Sequence, residues 1–164
     1  MSGARGEGAW GQDQGEVDLV ERWVIHELSA GREVTLRLTG GSMWPLVRSG
    51  ERLTLAPLSP IGARARVGEV CLSFDAGAAE GARLSALHRV MWIRGERVWR
   101  RGDALPHLDA PCEARALVAR LVAVEGASRL RAALAAPRGL PARALALSLS
   151  LAQWGARRVL LARG

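Results

Sequence analysis

The chain has 164 residues, of which 49% are hydrophobic, so it is long enough for one domain with a substantial core and too apolar to be disordered. All 23 basic residues are Arg, and the absence of Lys excludes every mechanism that needs a lysine amine. Cys71 and Cys112 form no C-x-x-C motif and the three His residues are scattered, so we expect no metal and no other cofactor. Two separate core cysteines are typical of a reducing compartment, which predicts a cytoplasmic protein.

The net charge of +7 is concentrated in the C-terminal part of the chain. No Asp or Glu follows Glu125, whereas seven arginines do, and the remaining 16 arginines balance the 16 acidic residues. The seven are Arg129, Arg131, Arg138, Arg143, Arg157, Arg158 and Arg163. A nucleic-acid-binding domain usually spreads its basic residues over a folded face, so no nucleic-acid partner is expected. A tail rich in Leu, Ala and Arg instead favours contact with a membrane surface or an acidic protein partner.

The N-terminal residues predict a disordered start followed by one helix. Residues 1–15 are glycine-rich and polar, which is typical neither of a signal peptide nor of a membrane anchor. Residues 16–31 predict a helix that ends at Gly31, because its apolar residues recur at near-helical spacing. They are Val17, Val20, Trp23, Val24 and Leu28. Five charged residues exclude a membrane span here, and His26 lies off the apolar stripe, so we expect it in solvent.

Residues 32–126 predict a β domain. Short runs with strand-like alternation, separated by turn residues, indicate six strands. The predicted strands are 34–38, 52–56, 69–74, 84–93, 97–100 and 116–124. The sequence Arg94-Gly95-Glu96 resembles a hairpin turn. Many short strands with short connections predict a mainly β fold, an antiparallel barrel-like domain with an N-terminal helix and C-terminal helices.

Residues 127–164 predict a basic helical tail. Helices are expected at 128–136 and 142–162, with a break between Pro137 and Pro141. The uncharged stretch 144–156 is too short to cross a bilayer, which needs about 20 apolar residues. Its leucines lie on several helix faces, so the helix should be buried, paired or placed in a lipid interface. Docking of this helix on the β domain is the alternative.

A serine after the first predicted strand stands in the stretch Thr39-Gly40-Gly41-Ser42-Met43-Trp44-Pro45. The two glycines allow a tight turn, and the proline ends any regular ladder, so the Ser42 hydroxyl should be accessible at a strand end. An ordinary turn between two strands is the alternative for such a stretch. A Ser hydroxyl becomes a good nucleophile only when a base removes its proton.

The base must be a histidine, because the chain has no lysine. His88 is preferred over His26 and His107, because it lies in the middle of a predicted strand that can hold its geometry. A carboxylate behind the imidazole would fix its tautomer, and both Asp103 and Asp109 follow at suitable places in the chain. The sequence therefore predicts a Ser, His and carboxylate group for acyl transfer.

These motifs, taken in order, resemble those of the type I signal peptidase superfamily. S-M-x-P around Ser42, Gly-Glu at 50–51, H-R-V around His88, and G-D at 102–103 followed by Asp109 occur in the family's order. The chain is similar to the Ser–His branch found in archaea, the endoplasmic reticulum and spore-forming bacteria, because His88 stands where other members have lysine. The resemblance covers about residues 34–126.

The resemblance implies a role for each matching residue. Ser42 would be the acylating nucleophile, with its own backbone N–H as one oxyanion-hole donor, and His88 would be the general base. Asp109 matches the carboxylate that supports the histidine. Asp103 matches the structural aspartate of the G-D turn and could exchange roles with Asp109.

The same resemblance implies that Met43, Trp44 and Pro45 line or shape the substrate groove, with ordinary packing of Met43 and Trp44 as the alternative. The chain departs from the family at Trp44, where a polar residue is usual, and in the charged helix before the serine, where the family has a membrane span. We therefore expect a serine endopeptidase that cleaves a peptide or protein precursor, in the cytoplasm or peripheral to the membrane.

Two other functions compete with this one. In the first, a non-catalytic β-domain binding module is recruited to an anionic surface or partner by the basic tail. In the second, the chain is a repressor-like DNA-binding regulator, which is disfavoured because only one helix precedes residue 34.

Overall fold

The computed structural model describes residues 11–58, 64–75 and 83–161, which form one curled antiparallel sheet with helices at both ends of the sequence. The helices are α1 (Gly11–Ser29), α2 (Arg129–Ala135) and α3 (Gly139–Leu161). The strands are β1 (Val34–Arg37), β2 (Arg52–Pro57), β3 (Val70–Asp75), β4 (Arg83–Arg94), β5 (Arg97–Arg101), β6 (Cys112–Glu113) and β7 (Leu117–Val124). A 3₁₀ turn, Ala114–Ala116, joins β6 to β7.

The seven strands lie in the order β1-β2-β7-β3-β4-β5-β6, and every neighbouring pair is antiparallel. The sheet curls into a half-barrel, so the predicted mainly β, antiparallel, barrel-like fold with flanking helices is confirmed. All six predicted strands are present, each with ends within one residue of the prediction. The sequence missed β6, because two residues are too few to show an alternating pattern.

The central strands separate two apolar cores. Along β3, Val70 and Leu72 face the larger core with the helices, whereas Cys71 between them faces the smaller one. This is the period-2 alternation that a strand imposes on its side chains. The turn between β4 and β5 is the predicted hairpin, because Arg94 pairs with Arg97 and the loop holds only two residues. Gly95 takes the left-handed backbone that this tight turn requires, with φ 58°.

Helix α1 differs from its prediction at both its start and its apolar face. It begins at Gly11, so residues 11–15 are helical rather than disordered, and residues 1–10 lie outside the described part of the chain. Val24 and Leu28 are buried as expected, but Trp23 is 51% exposed. The periodicity identified the helix, and among its described side chains, those of residues 19–29, Val24 and Leu28 belong to the core. His26 is exposed, as predicted.

The described part of the C-terminal tail docks on the β domain. The Arg131 guanidinium of α2 donates to the Glu51 carboxylate at 2.6 Å, and Ala146 and Ser150 of α3 are buried. A Cβ added to Gly68 would come within 2.9 Å of the Arg143 carbonyl oxygen, which shows how closely α3 approaches the loop before β3. The helix begins at Gly139, earlier than the predicted residue 142, because Pro141 is tolerated in a first turn. Within the described ranges, no helix has the length and apolarity needed to cross a membrane.

Glu51 gives this docking a pH dependence. Burial raises its pKa, but the Arg48 N–H and the Arg131 guanidinium outweigh burial and leave the pKa below the ordinary 4.5. The unfolded chain therefore binds a proton more readily, so this stabilisation is complete above about pH 4.5 and disappears as the pH falls through the lowered native pKa. We expect Glu51→Gln to flatten the acid limb of the stability curve, measured by urea unfolding at several pH values. Glu125→Gln, at an exposed carboxylate, is the control, and equal curves for both variants would contradict the assignment.

Candidate active site

The loop that carries Ser42 connects β1 to β2 and is closed at its base by the backbone. Leu38 donates its N–H to the Glu51 carbonyl, and Gly50 donates to the Leu38 carbonyl, both at 2.8 Å. Gly40 has φ 94°, a left-handed conformation that a side chain would strain. Of the two glycines predicted to form a tight turn before Ser42, Gly40 is thus required by the backbone conformation.

Met43 and Val47 fix this loop to the larger core. Both side chains have no exposed surface, and the Val47 N–H donates to the Met43 carbonyl at 3.0 Å. Met43 therefore packs in the core, as the packing alternative proposed, and does not face a groove. Trp44 is 53% exposed and Pro45 is half-buried after a cis peptide bond, so these two remain accessible to a peptide.

The turn after β5 holds the backbone of Ser42 in place. The Ala104 N–H donates to the Ser42 carbonyl oxygen at 2.8 Å, and a Cβ added to Gly102 would lie 2.6 Å from that same oxygen. Such a distance is shorter than any real Cβ contact, so only glycine permits the loop and the turn to meet. From the sequence, Gly102 was assigned only to the G-D turn.

Because of this contact, Gly102→Ala is expected to displace Ser42 and reduce turnover by about 100-fold, the order of effect of a 1 Å misplacement in an active site. The matched control is Gly41→Ala, whose added Cβ meets nothing within 4 Å. Turnover of both variants should be compared with their urea unfolding. Full activity in a folded Gly102→Ala protein would contradict a positioning role for this contact.

His88 and Asp109 are in direct contact. His88 lies on β4, where its side chain is 8% exposed, and its Nδ1 is 2.7 Å from Asp109 Oδ2. An ionised carboxylate only accepts hydrogen bonds, so Nδ1 carries the proton and Nε2 is the basic nitrogen of the neutral ring. This is the tautomer that a general base for a serine hydroxyl needs.

Arg100 contacts Asp109 through both its backbone and its side chain. Asp109 donates its N–H to the Arg100 carbonyl at 2.9 Å, and the Arg100 guanidinium lies 3.8 Å from Asp109 Oδ2. Arg100 is itself only 5% exposed and donates to the Ser73 hydroxyl. Arg100 thus gives the carboxylate that contacts His88 a second ionic partner.

Asp103 has a different environment from Asp109. It is fully buried and accepts two hydrogen bonds from the fully buried Arg89 guanidinium, at 2.8 and 2.7 Å. Arg89 also donates to the Gly68 and Leu134 carbonyls, so the pair bridges the β3–β4 region and α2. Of the two carboxylates left open by the sequence, the structure thus places Asp109 against His88 and Asp103 in a structural ion pair.

Helix α3 completes this buried network. The Ser150 hydroxyl donates to Asp103 Oδ1 at 2.8 Å, and the Arg101 guanidinium donates to the Ser150 carbonyl and hydroxyl oxygens. Arg101 also donates to the Leu105 carbonyl at 3.1 Å. Hydrogen bonds with Ser150 of α3 therefore stabilise the turn that contacts Ser42. Arg89 belongs to the H-R-V motif and Arg101 directly precedes the G-D pair at 102–103, but no sequence signal pointed to Ser150.

The relation between Ser42 and His88 follows from the strand register. Arg89 pairs with Arg101, so one further step places His88 across from Gly102, the residue that meets the Ser42 carbonyl. Among the hydrogen bonds of residues 11–58, 64–75 and 83–161, none joins the Ser42 hydroxyl to the His88 ring. Catalytic hydrogen bonds are often long without substrate and shorten in the complex. The structure thus places both Ser42 and His88 next to Gly102, at the C-terminal end of β5, without a hydrogen bond between their side chains.

The Ser42 N–H also forms no hydrogen bond within the described part of the chain. A donor without a partner beside a nucleophile can bind a developing oxyanion.

Over those same described residues, no group of three His, Cys, Asp or Glu side chains is arranged to hold a metal ion. His107, one of the two histidines not chosen as the general base, is exposed.

No protein-family model matches this chain, and neither a curated protein nor a solved structure matches it.

Proposed function

We propose that the protein is a serine endopeptidase that cleaves a peptide or protein precursor through an acyl-enzyme. The observation that carries this proposal is the 2.7 Å contact between Asp109 Oδ2 and His88 Nδ1 at the strand end beside the Ser42 loop. This contact leaves Nε2 as the base. Ser, His and Asp together supply the nucleophile, base and tautomer control that amide hydrolysis needs.

In the proposed reaction, His88 Nε2 takes the hydroxyl proton as Ser42 Oγ attacks the scissile carbonyl carbon. The Ser42 N–H stabilises the oxyanion, and Asp109 stabilises the imidazolium. His88 then gives its proton to the leaving amine, and a free N-terminus departs from the acyl-enzyme. Water, deprotonated by the same nitrogen, attacks the ester and restores Ser42 with release of the new carboxyl end.

The substrate is proposed to bind as an extended strand beside the Ser42 loop. Trp44 is 53% exposed, so its indole ring is proposed to pack against a substrate side chain. By analogy with the signal peptidases, small residues are proposed at the cleavage site. Cys71 and Cys112 form no disulfide, which supports a cytoplasmic location for the activity.

The test is a proteome-derived peptide library incubated with the purified protein, with products read by mass spectrometry. Cleavage at a defined set of bonds, and a covalent adduct mapped to Ser42 when the reaction is quenched in acid, would support the proposal. Ser42→Ala is the control for a contaminating protease. An uncleaved library, or cleavage that persists in the Ser42→Ala protein, would exclude this function.

The tail-recruited binding module is the less favoured function. It assigns the tail to a partner alone, whereas Arg131 is engaged by Glu51 and Ser150 donates to Asp103, so the described part of the tail also stabilises the β domain. Deletion of residues 127–164 should therefore destabilise the β domain, and a deleted protein with unchanged unfolding would favour the module instead.

A further inference from the structure

A large cleft formed by described residues lies away from Ser42, between the sheet and the connection from α2 to α3. Its volume is about 620 Å³, and its polar lining is dominated by four arginines. They are Arg66, Arg120, Arg138 and Arg143. Leu121 and Pro137 are among the apolar residues of the lining. No step of the proposed peptidase reaction uses this cleft.

The cleft has more positive than negative charge. Glu33 is exposed, and Glu69, with a side chain 10% exposed, is the second carboxylate. Glu69 lies 4.0 Å from Arg120 and 3.8 Å from Arg143, which are the outer limits of an ion pair, and it also accepts the Arg66 backbone N–H at 2.9 Å. Two carboxylates thus face four guanidinium groups, so an anion with more than one oxygen would be attracted.

Two further features point to an anion. The Arg143 side chain is only 11% exposed, so its guanidinium lies in the wall of the cleft largely out of solvent. Its attraction for an anion is therefore screened less than that of an exposed arginine. Gly139, the first residue of α3, also lines the cleft, and the first turn of this helix has no acidic residue. The positive end of a 23-residue helix dipole is therefore directed at the same space.

An apolar groove continues from this cleft. It has a volume of about 320 Å³ and shares Arg66 and Arg143 with the cleft. Its other lining residues are Val67, Leu140, Ala144 and Leu147, and Leu140 is 75% exposed. A ligand that filled both spaces would carry an anionic group at one end and an apolar chain at the other.

We propose that this cleft binds the phosphate of an anionic phospholipid, with the start of an acyl chain in the adjoining groove. The four arginines supply charge-assisted donors for phosphate oxygens, and Leu140 and Leu147 cover methylene groups. An acidic peptide would satisfy the arginines but would not account for the apolar groove. Binding here would hold the β domain at a membrane surface.

The test uses sedimentation with vesicles of phosphatidylcholine alone or mixed with phosphatidylglycerol. The variant Arg120→Gln/Arg138→Gln should bind the mixed vesicles about tenfold more weakly than wild type. Its control is Arg94→Gln/Arg97→Gln, which removes the same charge from the exposed β4–β5 hairpin and should bind nearly as wild type. Leu140→Ser should also weaken binding, whereas Leu130→Ser, at a residue 67% exposed on α2, should not. Urea unfolding verifies that each variant is folded.

Other outcomes would overturn the proposal. If Arg120→Gln/Arg138→Gln and Arg94→Gln/Arg97→Gln weaken vesicle binding equally, the net charge of the protein and not the cleft determines binding. Binding of inorganic pyrophosphate by calorimetry, with the same dependence on Arg120 and Arg138 but without vesicle binding, would replace the lipid with a soluble phosphate compound. No binding either to vesicles or to pyrophosphate at low salt would remove the site altogether. None of these results depends on Ser42 chemistry, so the peptidase proposal is tested separately.

Discussion

Replacing Ser42 or His88 by Ala is expected to reduce kcat by about 10⁶-fold, and the double variant should lose no more than either single one. The reason is that the two side chains act as one unit: without the His88 nitrogen the hydroxyl stays protonated, and without the hydroxyl there is nothing to activate. The measurement is the rate of cleavage of the best peptide from the library, with single-turnover kinetics to separate binding from chemistry. Substrate affinity should change little, because neither residue holds the peptide.

Asp109→Asn is the graded control for this prediction. It keeps the shape of the side chain but removes the acceptor that selects the Nδ1–H tautomer, so kcat should fall by about 10⁴-fold. Substitution of His107, which is exposed, should leave kcat unchanged. If Ser42→Ala or His88→Ala cleaves the peptide as fast as wild type, the assignment of nucleophile and base is wrong.

Asp103→Asn is expected to lower the free energy of unfolding by about 3–5 kcal/mol, because it leaves the fully buried Arg89 guanidinium without its counter-charge. The Ser150 hydroxyl would also lose the ionised oxygen that accepts its hydrogen bond. Urea unfolding followed by tryptophan fluorescence measures the change. The effect should exceed that of any single exposed charge on the sheet.

The neighbouring carboxylate provides the matched comparison. Asp109→Asn is the same chemical change at a side chain that is 19% exposed, so it should cost much less stability than Asp103→Asn while costing more activity per folded molecule. The double change of Arg89 and Asp103 to Leu should be less destabilising than the sum of the two single changes, because the uncompensated charge is removed. Equal stability losses for Asp103→Asn and Asp109→Asn would contradict the separation of structural and catalytic roles.

Much of the fold could be predicted because strand alternation and turn residues are local signals. The β4–β5 hairpin is an example, since Gly95 and the apolar runs on both sides define it without any distant contact. The start of α1 could not be predicted in this way, because a glycine-rich polar segment gives no apolar periodicity. The exposure of Trp23 could not be predicted either, because a helical stripe does not record which of its residues meet the rest of the fold.

The candidate site was predicted in part. Ser42 and His88 carry recognisable chemistry, so the sequence could select them as candidates, whereas it left the choice between Asp103 and Asp109 open. Gly102 and Ser150 were missed because their roles are steric and structural: one permits a 2.6 Å approach that a Cβ would block, and the other is supplied by a helix more than forty residues later.

The sequence by itself determined the strands, the hairpin, the uneven charge and the set of groups able to perform acyl transfer, because these depend on composition and on spacing along the chain. Only the tertiary structure decided between Asp103 and Asp109, since both follow the same β-strand and are six residues apart. Burial beside Arg89 made one a structural anion, and the approach of the other to His88 Nδ1 gave it the position of a catalytic support. The tertiary structure also decided that the basic tail packs on the β domain, and that packing formed the arginine-lined cleft.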